Sequence, residues 1–160
     1  MRKLLERFVV AAAASLLAAP AAAQEAFDAC RVFTQADAEK VLGTAAAGEV
    51  ANPKVKRPKF VPACAYNGFK DGKPVEARAQ FRFAKNDAEA LRDFEQSRLQ
   101  HQTKPLVVTG SDGAFWSART GQMYLRKGRA AVTVSVGPPK VADREMEPAR
   151  ALAQALVRKL

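Results

Sequence analysis

The chain is short of the residues from which most active sites are built. Its 160 residues include one His, two Cys, one Trp and two Tyr. A structural zinc site takes four Cys or His ligands and a catalytic one usually three protein ligands, so neither is readily assembled from this set. Copper sites of the thioether type would need more Met than Met123 and Met146. There is no G-x-S-x-G, no P-loop and no dinucleotide fingerprint. A Ser–His–Asp arrangement would have to use His101, which falls near the end of a helical segment among polar neighbours. That position reads as a surface imidazole at a favourable dipole rather than a base. Acidic residues are also scarce, 16 against 26 Lys and Arg, for a net charge of +10.

The one long apolar run lies at the start. Arg2, Lys3 and Arg7 precede an Ala-rich stretch from Phe8 to Ala19, then Pro20 and Ala21-Ala22-Ala23. A charged opening, a short apolar centre and small residues at the −3 and −1 positions are the layout of a secretory signal peptide, cleaved here after Ala23. The run is shorter than the roughly 20 residues that a spanning helix needs. Asp28 falls where a lipobox needs a small residue before Cys30, so no lipid anchor is expected. Without the three basic residues and one acidic residue of that segment, 23 basic and 15 acidic residues remain, a net charge of +8. The expected product is a soluble periplasmic or secreted protein of bacterial origin, with 24–160 as one domain. Export implies an oxidising compartment, so Cys30 and Cys64 should pair.

Along this region, Thr34 and Asp37 make a capping box ahead of a helix at 35–42, which Gly43 ends. A strand at about 63–69 carries Cys64 and Tyr66, and Asp71-Gly72 marks a hairpin. Val75, Ala77, Ala79, Phe81 and Phe83 alternate with Glu76, Arg78, Gln80 and Arg82, the period of a half-buried strand. Asn86 or Asp87 opens a helix to about Gln102, with Leu91, Phe94 and Leu99 near one stripe. Leu106 to Thr109 reads as a short extended run. Strands follow at about 114–118, 122–127 and 130–136. A closing helix places Met146, Ala149, Ala153, Leu156, Val157 and Leu160 on one face. Tight turns join most strands. The expected fold is α+β, a mostly antiparallel sheet of five or six strands with three helices and one disulfide.

Several of these segments are similar to a family of small exported bacterial proteins of unknown function. Asp28-Ala29-Cys30-Arg31-Val32-Phe33-Thr34 resembles its D-x-C-x-L-L-T opening, and Val41-Leu42-Gly43 its first helix end. Cys64-Ala65-Tyr66 resembles its C-x-Y strand. Gly110-Ser111-Asp112-Gly113-Ala114-Phe115-Trp116 and Tyr124-Leu125-Arg126-Lys127-Gly128 resemble its late turn and hairpin. The resemblance implies an α+β sandwich similar to the PsbP-like fold, and no catalytic residue.

Positive charge is the excess that points to a partner. Lys54, Lys56, Arg57 and Lys59 crowd one proline-rich loop. Arg78, Gln80 and Arg82 share one side of their strand, and Gln122, Tyr124 and Arg126 one side of theirs. If those sides align they form an Arg/Tyr surface able to hold an anion. Of the adjacent Phe115 and Trp116, one should point inward and the other outward, and an outward Trp116 would join a contact surface. The reading is a non-enzymatic protein without a cofactor. It would bind an anionic lipid, lipopolysaccharide or an acidic envelope protein rather than nucleic acid. The alternatives are a protein–protein module, such as an accessory subunit or an inhibitor of an envelope enzyme, and an enzyme using carboxylates such as Asp112 or Glu76.

Overall fold

In the computed structural model, residues 27–49 and 61–160 are described. The signal segment and the basic loop of Lys54, Lys56, Arg57 and Lys59 lie outside them. The elements run α1 (Ala29–Val32), α2 (Gln35–Leu42), β1 (Ala46–Glu49), β2 (Ala63–Lys70), β3 (Lys73–Phe83) and α3 (Asp87–Gln100). Then follow β4 (Gly113–Ser117), β5 (Gln122–Lys127), β6 (Ala130–Gly137), a 3-10 turn at Val141–Asp143 and α4 (Met146–Val157). The strands form one antiparallel sheet in the order β1-β2-β3-β6-β5-β4. The fold is α+β.

Alternation along the strands divides the sheet into two faces. One is nearly all apolar: Ala77, Ala79 and Phe81 of β3, Val132, Val134 and Val136 of β6, and Met123 and Leu125 of β5 are buried. α1, α2 and α4 cover it. α4 contributes Ala149, Leu152, Ala153, Leu156 and Val157, all buried. Pro148 sits in its first turn, where the missing N–H costs nothing. Leu160 falls beyond the helix and is exposed.

The N-terminal segment is tied to this core at several points. Cys30 is bonded to Cys64, with Cα atoms 5.2 Å apart. Phe33 is fully buried, edge-on to Tyr66, whose hydroxyl donates to the Phe33 carbonyl at 3.1 Å. Thr34 and Asp37 form the expected capping box. Burial pushes the Asp37 carboxyl up, but the Lys159 ammonium and the Thr34 hydroxyl and N–H outweigh it. The carboxyl is held below its usual value. Through Lys159 the chain's last residues are clipped to α2.

Two elements were not expected. α1 is a single turn capped by the Asp28 side chain. β1 is Ala-Ala-Gly-Glu, a run with little strand propensity, and it extends because it pairs with β2. In the expected extended run, only Leu106 makes a bridge, to Ala114. The stripe expected on α3 is also corrected. Ala90 and Phe94 face the sheet, while Leu91 and Leu99 are 47% and 65% exposed. The reason lies in what α3 packs upon. It crosses the other, polar face of the sheet, where a narrow seat admits one large ring.

Candidate functional site

The register places the two predicted polar sides on one face. Three rows run across it. In the first, Arg78 stands opposite Ser135, and Ser117 opposite Gln122. In the second, Gln80, Thr133, Tyr124 and Phe115 are successive neighbours. In the third, Arg82, Ala131, Arg126 and Gly113 are. With strands about 4.8 Å apart, Arg82 and Arg126 lie roughly 10 Å apart across Ala131.

α3 contacts β5 and β6 over the far end of these rows. Phe94 rests on Phe115, ring centroids 5.3 Å apart. It also lies against Gly113, where a Cβ would sit 3.0 Å from the ring. A side chain at position 113 would therefore press on the Phe94 ring that seats α3. Toward β3 the helix leaves the face open, and a hollow of about 220 Å³ remains. Its floor is Gln80, Thr133 and Ala131. Arg82 stands on one side, and Asp93 and Ser97 of α3 on the other, with Tyr124, Phe115 and Phe94 behind. Arg82 is exposed and has no ion-pair partner among the described residues. Asp93 is 3.7 Å from Arg92, and both are well exposed.

The other predicted residues fall differently. Arg126 is mostly buried, 3.7 Å from Asp112 and hydrogen-bonded to the Gly128 carbonyl. It belongs to the hairpin, where Asp112 also accepts from the Gly128 N–H at 2.6 Å. Arg78 shares the face but does not line the hollow, and its Nε is buried without a partner among the described residues. Trp116 is not on this face. It packs against the helix-side core, and Phe115 takes the polar side, fully buried beneath Phe94. Glu76 borders a separate hollow of about 310 Å³ with Phe69, Pro74 and Arg144. There the Arg144 guanidinium is engaged by the Pro138 and Pro139 carbonyls.

His101 is more deeply engaged than a surface imidazole. It caps the C-terminus of α3, and its ring lies 4.9 Å from that of Tyr124. Tyr124 in turn stacks on Phe115 at 4.6 Å and 8°. Ser117 Oγ lies 2.9 Å and Arg119 Nη2 3.5 Å from His101 Nδ1. Arginine can only donate, so Nδ1 accepts and the neutral ring carries its hydrogen on Nε2. Ser117 is 1% exposed. No substrate reaches its hydroxyl, so the Ser–His pair pins α3 to β4 and is not a nucleophile with its base. Partial burial, and then the Arg119 charge, lower the His101 pKa from its usual 6.5.

That shift has a definite sign. The unfolded chain takes up the His101 proton at a higher pH than the folded one. Stability is therefore full above about pH 6.5 and falls as the pH drops through the depressed value. Melting temperatures measured from pH 8 to pH 5 should decline more for the native protein than for His101→Asn. Parallel curves for the two would remove the pin's role.

Comparison of the chain with protein-family models, curated proteins and solved structures finds no match. Among the described residues, no helix is long and apolar enough to cross a membrane. Nor does any group of three or more His, Cys, Asp or Glu among them suit a metal ion.

Proposed function

We propose that the protein is an exported, non-enzymatic binding protein of the bacterial periplasm. Its partner is an anionic component of the envelope, met on the polar face of the sheet. The observation that carries this reading is Arg82 at the rim of the hollow beside α3, without an ion-pair partner among the described residues. The charge excess supports it, since a surplus of cations draws polyanions by long-range attraction. The Cys30–Cys64 bond suits an oxidising compartment. The loop cations Lys54, Lys56, Arg57 and Lys59 add to the same attraction.

The test is cosedimentation with vesicles of phosphatidylglycerol and phosphatidylcholine, and with purified lipopolysaccharide, at low and high salt. Binding to either anionic surface that weakens steeply with salt is expected. Absence of binding at low salt would overturn the reading.

A protein partner is the second reading. The exposed Leu91 and Leu99 on α3 favour it. Recovery of one periplasmic protein by the native chain, lost with Leu91→Ser/Leu99→Ser, would support it over the first.

A further inference from the structure

We infer that the hollow between α3 and β3 takes an acidic saccharide, a sugar ring bearing a single carboxylate. The inference rests on the anion-binding reading and narrows it. Besides Asp93, the groups around the hollow that can meet a ligand are of three kinds. Arg82 offers one guanidinium, whose planar donors match a carboxylate. Gln80, Thr133 and Ser97 offer neutral donors and acceptors. Tyr124 and the edge of Phe94 offer a ring-lined wall, with Phe115 buried behind them.

Asp93 decides between kinds of anion. A phosphate dianion seeks converging donors, and a carboxylate across the hollow repels it. Ring hydroxyls do the opposite, since they donate to Asp93 while a carboxylate at the other end of the ring meets Arg82. Asp93 already has Arg92 at 3.7 Å. An ammonium would compete with that guanidinium, whereas a hydroxyl adds to the carboxylate's remaining lone pairs. Size agrees as well. About 220 Å³ is below the range of drug-sized sites and suits one ring. The fixed row Gln80–Thr133–Tyr124 puts the hydrogen-bonding groups on strands and not on loops.

The probes are galacturonate, digalacturonate, galactose, glycine and inorganic phosphate. Binding is read by chemical shifts and titration calorimetry on the native chain. Galacturonate should bind with a Kd of about a millimolar, as expected for so small a ligand. Galactose should bind at least about tenfold more weakly, because it lacks the charge-assisted bond. Arg82→Ala should reduce galacturonate binding to the galactose level, and Asp93→Asn should weaken both sugars. Arg82 and Asp93 are exposed, so both variants should keep the native circular dichroism. Equal binding of galactose and galacturonate, tighter binding of phosphate or glycine, or no uronate binding at 20-fold the expected Kd, about 20 mM, would each overturn the inference. Vesicle or lipopolysaccharide binding by the native chain, lost in Arg82→Ala, while uronate binding is absent would leave the broader reading standing and remove this one.

Discussion

Reduction of the Cys30–Cys64 bond, or its replacement by Cys30→Ala/Cys64→Ala, should lower stability by about 3.5–4 kcal/mol. The bond closes a loop with a sequence separation of 34. The chain-entropy relation gives that magnitude for a loop of such length. Typical domains have only about 5–15 kcal/mol in all, so the loss is large. For a domain of this size it corresponds to a fall of roughly 10–15 °C in melting temperature. What holds the N-terminal segment otherwise is a set of small contacts: the Phe27 and Phe33 rings, buried Ala38 and Leu42, the Tyr66 hydroxyl bond and the Lys159–Asp37 clip. The single turn of α1 has no stability of its own. Reduced protein should therefore lose hydrogen-exchange protection first in 29–42. Two free thiols in unreduced native protein, or a shift below about 3 °C, would contradict the expectation.

What could be read from the residues alone was chiefly the sheet. Alternation from Val75 to Phe83 identified β3, and the Asp71-Gly72 turn fixed its hairpin with β2. Both turn residues have positive φ, 52° and 73°, as a tight two-residue hairpin requires. The same alternation placed Arg78, Gln80 and Arg82 together. Their alignment with Tyr124 and Arg126 stayed conditional, because it depends on β6 lying between β3 and β5 in space. No local pattern states that β6 returns to pair with β3. α3 was legible as a helix, through Asn86 and its acidic first turn, but not its orientation. Ala90, Leu91, Phe94 and Leu99 do not define one stripe, and the deciding feature is an absent side chain at Gly113, far along the chain. The place of His101 at the end of α3 was legible, but its contacts were not, for the same reason. Its neighbours in sequence are polar, while its neighbours in space are Ser117, Tyr124 and Phe115. Adjacency says only that Phe115 and Trp116 point to opposite faces, and pairing opposite Met123 commits Trp116 to the helix-side core.

Phe94→Ala should cost about 3 kcal/mol and loosen α3 before anything else. Truncating a buried Phe typically costs about 3–5 kcal/mol, and the lower value applies because this ring is near the protein surface. Phe94 is 8% exposed, and with Ala90 it is what α3 buries. The remaining anchors are the His101–Ser117 bond and the short contacts of the cap. The main core lies on the other side of the sheet and loses no atom. Hydrogen exchange should therefore accelerate across 87–100 with little change in β3 and β6. Asp93 and Ser97 ride on this helix, so the hollow loses one wall when α3 loosens. Gly113→Ala should act in the same direction by crowding instead of emptying the seat, since its Cβ would meet the ring at 3.0 Å. If both variants lose α3 protection, the seat at Gly113 holds the helix over the polar face. If Phe94→Ala instead unfolds the whole chain in one step with no early exchange in α3, the helix is an integral part of the core. In that case the hollow cannot be opened independently of global unfolding.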